Sequence, residues 1–176
     1  MRKLILTISL FTIILISVNG QSEIAFNSVP VLNGKVVFEY FIPTETSVTP
    51  KQGYVKLQKW VRDKYRDNQI VSGIRFDDKG HFVTVSARTN FNNLTTMNYR
   101  LDTSVTGAGC MIVVRDITYQ RKADDSSFFP KVVTAEQTIT DQAINSGGDD
   151  KKYRDGIRTA TLSFLNEIYS EINSLF

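Results

Sequence analysis

The strongest constraint on the fold is an alternation of apolar and polar side chains, at a period of two, that runs from residue 70 to residue 105. Such alternation predicts β-strands with one buried face. Turn sequences interrupt it at Asp77–Gly80, Asn92-Asn93 and Gly107–Gly109, and Gly80 is placed to take a left-handed conformation. The alternating apolar residues are Ile70, Ile74, Phe76, Val83, Val85, Ala87, Phe91, Met97, Tyr99, Leu101 and Val105. The pattern predicts an antiparallel meander whose fourth strand, Cys110–Tyr119, is central, because it begins apolar on both faces.

A helix precedes the meander. Thr49 is a suitable N-cap, Pro50 suits the first helical position, and Gln52 completes a capping box with Thr49. Apolar residues then recur at three- to four-residue steps, at Tyr54, Leu57, Trp60, Val61 and Tyr65. We interpret Trp60, the single tryptophan, as the anchor of this helix on the sheet.

Further elements flank this core. The β-branched and aromatic run Val36–Ile42 predicts a strand that Pro43 ends, and Ser22–Val31 predicts an additional edge strand. Thr134–Gln137 has the pattern of a capping box and predicts the start of a short helix. A long C-terminal helix is predicted from the spacing of Tyr153, Ile157, Ala160, Phe164, Leu165, Ile168, Ile172 and Leu175.

Strands and helices are therefore segregated along the chain, which predicts an α+β fold with an antiparallel sheet covered on one face by helices. Residues 1–20 are predicted to be a signal peptide and residues 21–176 a single domain, with C-terminal helices over about 131–175.

The export signal is the clearest functional indication. Arg2 and Lys3 precede an apolar run from Leu4 to Val18, and small residues before Gln21 suit cleavage after Gly20. The run is shorter than a membrane span, and an uncleaved anchor is the alternative. Loss of two cations reduces the formal net charge of +3, so bulk charge does not indicate nucleic acid as a partner. We expect a periplasmic or secreted protein with no stable membrane insertion after cleavage.

The sequence offers few residues for catalysis. Cys110, the only cysteine, cannot form an internal disulfide, and its apolar neighbours predict a buried thiol. His81, the only histidine, has no recognisable catalytic partners. Three Asp-Asp pairs lie in predicted turns without the spacing of a calcium loop. We therefore predict no catalytic residues, no metal site and no cofactor, although two carboxylates distant in sequence could still form a glycosidase site.

One constellation is a candidate binding site. If the alternating apolar side chains face the helices, the opposite face carries Arg75, Thr84, Ser86, Arg88, Asn98, Arg100 and Asp102, and we call it the open face. Arg75, Arg88 and Arg100, together with Asn98, could hold a sugar acid, a phosphate or a partner's carboxylates. The alternative is simple cross-strand pairing, for example with Asp102.

The whole pattern resembles a known family. The features are the signal peptide, the strand at Gly34–Phe38, the helix bearing Tyr54, Leu57 and Trp60, and the hairpin from Ile74 to Gly80. Over about residues 29–120 the chain resembles the exported bacterial domain of unknown function 4468, found mainly in Bacteroidota, which has a TBP-like fold. The resemblance implies a curved sheet with helices on one face and a periplasmic or surface location, and it implies no DNA binding. The family has no assigned activity or functional residues.

Three functions remain open. The first is a non-enzymatic envelope module that binds a partner protein or a glycan through the open face or an exposed edge strand. The second is a hydrolase acting on envelope glycans or peptides, which would need a cleft with carboxylates of perturbed pKa. The third is a structural or assembly subunit. The absence of a recognisable catalytic motif favours the first.

Overall fold

The computed structural model of the chain describes residues 24–44, 47–65, 71–92, 95–121, 131–146 and 148–176. The predicted signal peptide, its cleavage site and Ile70 lie outside these residues. The strands, in chain order, are β1 (Val31–Leu32), β2 (Lys35–Val36), β3 (Phe38–Pro43), β4 (Val71–Asp77), β5 (Phe82–Asn92), β6 (Thr95–Val105), β7 (Gly109–Arg121) and β8 (Val132–Thr134). The helices are α1 (Pro50–Lys64), α2 (Asp141–Asn145) and α3 (Lys151–Asn173), and a 3-10 turn, Gly148–Asp150, precedes α3.

The main sheet is antiparallel, with strand order β3-β7-β6-β5-β4. Strands β4 to β7 follow one another as neighbours, which confirms the predicted meander. The short strand β8 pairs with residues 118–120 of β7, whereas β3 pairs with residues 109–114 of the same strand. Because β6 occupies the other side of β7, a gap at residues 115 and 116 separates β3 from β8, and the carbonyl of Ile117 accepts from the N–H of Ala135 just beyond β8.

Helices α1 and α3 cover one face of the sheet, as predicted. The hydroxyl groups of Tyr65, the C-cap of α1, and Tyr99 on β6 lie 3.1 Å apart, and those of Tyr119 on β7 and Thr161 on α3 lie 2.8 Å apart. These contacts are buried, so both helices pack on the same face as the alternating apolar residues. The core lies between this face and the two helices.

The start of α1 is as predicted, and Trp60 packs against the core and also contacts α3. The side chain of Thr49 accepts from the backbone N–H of Gln52, and the Gln52 side chain accepts from the N–H of Thr49. Trp60 is half-buried, and its indole Nε1 donates to Glu171 of α3 at 2.8 Å. It therefore joins the two helices to each other, while the more deeply buried Leu57 and Val61 form most of the contact of α1 with the core.

The predicted edge strand Ser22–Val31 is wrong over residues 24–30, which form no strand, and only Val31 lies in one, as the first residue of β1. Phe26 instead packs edge-on against Phe38, with ring centroids 5.3 Å apart. Its backbone N–H donates to the Asn166 side-chain oxygen at 2.9 Å, and its carbonyl accepts from the Asn166 amide at 2.8 Å. A side chain of α3 thus satisfies the backbone groups that a neighbouring strand would have paired.

The turn between β4 and β5 also differs from the prediction. Asp77 accepts hydrogen bonds from the backbone N–H groups of Lys79 and Gly80, both at 3.1 Å. The left-handed residue is His81, with φ +50°, and not Gly80. The Asp77 carboxylate fixes the first part of the turn, and the reversal into β5 is therefore completed one residue later.

Strand β7 contains a β-bulge that its sequence requires. Val114 and Ile117 are both buried on the helix-covered face although they are three residues apart. The pairing with β6 shifts between Asn98 and Arg100, and Asp116 is the extra residue, with φ +54°. The bulge restores alternation, so that Tyr119 faces the core.

The segment before α3 was assigned wrongly from the sequence. Thr134 ends β8, and the Gln137 side chain accepts from its N–H as in a capping box, but turns and not a helix follow up to Ile139. Helix α2 begins at Asp141, and its N-cap is Thr140, whose side chain accepts from the N–H of Ala143. The capping-box pattern is local, and pairing with β7 overrides it.

Candidate functional site

The open face carries the predicted polar residues together with one more arginine. The strand registers place Arg75, Thr84, Ser86, Arg88, Asn98, Arg100 and Asp102 on this face, opposite the helices. Arg115 of β7 lies directly across from Arg100 on the same face. Two like charges at directly opposed positions of an antiparallel pair repel each other unless a counter-charge lies nearby.

Asp102 supplies that counter-charge. Arg100 donates through Nε to Oδ1 of Asp102 at 3.1 Å, and Arg115 donates through Nε to Oδ2 at 2.8 Å. The hydroxyl of Thr84 also donates to Oδ1, at 2.9 Å. Asp102 is only 5% exposed, since these three side chains cover it. We call Arg100, Asp102 and Arg115 the arginine cluster.

The arginine cluster controls the protonation of Asp102. Burial alone would raise the pKa of this carboxyl, but the hydrogen bonds from Arg115, Thr84 and Arg100 outweigh it and lower the pKa. The carboxylate is therefore ionised at neutral pH and keeps both guanidinium groups in place. Each arginine uses its Nε for Asp102, and the two side chains remain 38% and 42% exposed. Their Nη groups thus remain available to a ligand.

The other predicted binding residues divide into two groups. Arg88 pairs with Asn98, which places it diagonally from Arg100, about 7–8 Å away between Cα atoms. Asn98 donates to the hydroxyl of Thr118 at 3.4 Å. Arg75 pairs with Thr84, two strands from Arg100 and about 12 Å away by strand spacing. The structure thus brings Arg88, Asn98 and Arg100 together and leaves Arg75 at the edge of the sheet.

Two solved structures resemble this chain. One is a TBP-like protein from Parabacteroides distasonis, with a TM-score of 0.69 and 18% identity over 84% of this chain and 96% of that one. The other is a DUF4468 family protein from Bacteroides ovatus, with a TM-score of 0.65 and 18% identity over 88% of this chain and 93% of that one. The chain has the TBP-like fold. No protein-family model and no curated protein matches it in sequence.

The TBP-like fold confirms the predicted fold class and supports the family resemblance at the level of architecture. Identity this low carries no functional residue from either structure to this chain. The function of the TBP-like sheet must therefore be argued from its own side chains.

Sequence reasoning missed Arg115. It lies in the strand that was interpreted as apolar on both faces, and the bulge at Asp116 interrupts the alternation immediately after it. The signal that could have found it is the three-residue step between Val114 and Ile117, two apolar residues that must both face the core.

One end of the open face is apolar. Phe41 on β3 pairs with Met111 on β7, and their exposed fractions are 42% and 39%. Val113 of β7 lies opposite Asp102, and Met111 lies two residues further along the same strand, away from Arg115. A bound partner would therefore meet an apolar border on one side of the arginine cluster and a polar one, at Arg88 and Asn98, on the other.

Cys110 and His81 both pack against other side chains, and Asp124-Asp125 lies outside the described residues. Cys110 is fully buried, and burial raises the pKa of its thiol to about 12, so it is not a nucleophile at neutral pH. The ring of His81 packs against that of Tyr54, with centroids 5.3 Å apart. Among the described residues, no group of three or more His, Cys, Asp or Glu side chains is arranged to hold a metal ion. No helix within the described ranges has the length and apolar character of a membrane span.

Two carboxylates, Asp116 and Glu136, line a cavity of about 320 Å³ at the gap between β3 and β8. We call this cavity the notch. Glu136 accepts the backbone N–H of Val36 at 2.8 Å. Burial would raise the pKa of Glu136, but this hydrogen bond and one to Thr134 outweigh it and lower the pKa. Glu136 is thus a fixed carboxylate that joins β2 to the segment after β8, and it is unsuited to act as a general acid.

Proposed function

We propose that this protein is a non-enzymatic binding module of the cell envelope, and that its open face holds an anionic group of a partner protein or glycan. The observation that carries the proposal is the arginine cluster, in which one buried carboxylate holds two guanidinium groups side by side. Guanidinium groups that are already oriented lose little further freedom when they bind a carboxylate or phosphate. Arg88 adds a third cation diagonally from Arg100.

The geometry favours binding over hydrolysis. A glycosidase requires one carboxyl whose raised pKa keeps it protonated as a general acid. The pKa of Asp102 and that of Glu136 are both lowered, so each stays ionised and accepts hydrogen bonds from within the protein. An ionised carboxylate that is saturated with donors positions cations and cannot transfer a proton.

We expect the open face to bind inorganic phosphate, used here as a probe of anion recognition. In a titration at constant ionic strength, the arginine Nε–Hε NMR signals of Arg100 and Arg115 should shift saturably. The variant Arg88→Ser/Arg100→Ser should bind at least ten-fold more weakly, since each charge-assisted hydrogen bond contributes about 1.5–3 kcal/mol. Constant ionic strength separates specific binding from general screening.

Arg75→Ser is the matched control, because Arg75 lies on the same face but about 12 Å from Arg100. Its phosphate affinity should stay within two-fold of the wild type. Equal affinities for the wild type and Arg88→Ser/Arg100→Ser would overturn the proposal.

Export is part of the proposed function and has its own test. When the full chain is expressed in a bacterial host, we expect the protein in the periplasmic fraction or the medium, with Gln21 at its N-terminus. Intact mass spectrometry measures this directly. A cytoplasmic protein that keeps residues 1–20, or a membrane-bound one that does so, would contradict it.

A further inference from the structure

The notch borders the arginine cluster, and Arg115 belongs to both. One side of the notch is lined by residues 115–118 of β7. The second side is lined by Lys35, Val36 and Val37, and the third by Thr134 and Glu136. No strand pairs with β7 at residues 115 and 116 on this side, and Ile117 accepts there only from the N–H of Ala135. The volume of about 320 Å³ is at the lower end of the range for small-molecule sites.

The side chains that line the notch carry both positive and negative charges, and some of these groups are already engaged in hydrogen bonds within the protein. Glu136 is committed to the backbone N–H of Val36, and the Nε of Arg115 is committed to Asp102. The Nη groups of Arg115 therefore remain as cations, together with the Lys35 ammonium, whose charge also helps to lower the pKa of Glu136, and the exposed carboxylate of Asp116 remains as an anion.

Asp116 is held at the notch by the backbone. It is the extra residue of the β7 bulge, in a left-handed conformation that residues other than glycine adopt rarely. Arg115, Asp116 and Thr118, which flank or form this bulge, all line the notch. One segment thus presents an anion between a guanidinium group and a hydroxyl group.

We infer that the notch binds a small zwitterion, namely an amino acid or a short peptide with a free ammonium and a free carboxylate. The ligand carboxylate meets Arg115 and Lys35, and the ligand ammonium meets Asp116. This assignment rests on the proposed function, because Arg115 also belongs to the anion-binding arginine cluster. The assignment further requires that the ligand carry a cation, whereas the proposed anion binding requires only a negative charge.

The test compares glycylglycine with N-acetylglycylglycine, which lacks the ammonium, and with glycylglycinamide, which lacks the carboxylate. Binding is followed through the backbone amide signals of Asp116 and Thr118 in an NMR titration. The wild type should bind glycylglycine at least five-fold more tightly than either analogue. In Asp116→Asn the preference over N-acetylglycylglycine should disappear.

Both variants should keep the fold, so a change in ligand preference reports on the notch itself. Asparagine tolerates the left-handed conformation as well as aspartate does, so Asp116→Asn should keep the bulge. Glu39→Gln removes an exposed carboxylate from β3, outside the notch, and should keep the full preference. Loss of the preference in Asp116→Asn but not in Glu39→Gln supports the inference.

The two proposals fail in different ways. If glycylglycine and N-acetylglycylglycine bind the wild type equally, and phosphate binding still depends on Arg88 and Arg100, the zwitterion site is wrong and the anion site stands. If the wild type binds neither phosphate nor glycylglycine, both are overturned. A preference that persists in Asp116→Asn would also overturn the role of Asp116.

Discussion

Gly109→Ala should destabilise the protein by about 3 kcal/mol or more. Gly109 begins β7 opposite Pro43 of β3, with φ +155°, a conformation that side chains other than glycine rarely adopt. A Cβ atom there would lie 2.1 Å from the backbone carbonyl oxygen of Ile42 and 2.7 Å from the Phe41 ring. The ring could move, but the carbonyl belongs to the strand, so β3 would have to separate from β7.

Gly107→Ala is the matched control, two residues earlier in the same turn. Nothing lies within 4 Å of a Cβ atom at Gly107, so its free energy of unfolding should stay within about 0.5 kcal/mol of the wild type. Urea denaturation of both variants measures the difference. Equal stabilities would show that β3 is not held against β7 at this point.

The sequence predicts the parts of this fold whose signals are local. The capping box of Thr49 and Gln52 involves side chains three residues apart, and it forms as expected. The alternation in β5 and β6 reports burial of one face, and Val85, Met97 and Leu101 are buried accordingly. In these cases the pattern that carries the prediction lies within one element or one hairpin, even where the side chains are buried by distant helices.

Other features depend on distant partners and could not be predicted. Phe26 avoids a strand because Asn166, 140 residues away, satisfies its backbone. Thr134 ends a strand because it pairs with Thr118, although its local pattern favours a helix cap. Both outcomes follow from the packing of α3 and β7, which no window of the sequence contains.

The residues of the candidate site also include some that the sequence predicts and one that it does not. Alternation is enough to place Arg88, Asn98 and Arg100 on one face. The partnership of Arg100 with Arg115 depends on the register between β6 and β7, and the bulge at Asp116 alters that register. Sequence reasoning therefore identified cations on the open face and named Asp102 as a pairing partner, but it did not predict the second arginine.

Asp102→Asn should destabilise the protein by about 2–4 kcal/mol at pH 7. The change leaves two guanidinium groups directly opposite each other without their counter-charge, and it places an amide donor next to other donors. Removal of one partner of a buried ion pair costs about 3–5 kcal/mol. The partial exposure of Arg100 and Arg115 reduces that figure, because water screens them.

The control for this variant is Asp155→Asn, which removes an exposed carboxylate from α3 and should change the free energy of unfolding by less than about 0.5 kcal/mol. If Asp102→Asn costs no more than Asp155→Asn, the arginine cluster does not stabilise the sheet. Phosphate binding should also weaken in Asp102→Asn, since the two guanidinium groups would no longer be held side by side.

The stabilising effect of Asp102 should depend on pH in a predictable direction. The pKa of Asp102 is lowered in the folded protein, whereas the pKa of an aspartate in the unfolded chain is about 3.9. The stabilisation is therefore complete above about pH 5 and is lost as the pH falls through 4 toward the lower folded pKa. Asp77 and Glu136 also have lowered pKa values, but both are present in the wild type and in Asp102→Asn, so the difference between the two proteins isolates Asp102. That difference, measured by urea denaturation from pH 7 to pH 3, should shrink with acidification. A constant difference would mean that the charge of Asp102 contributes nothing and that only its shape matters.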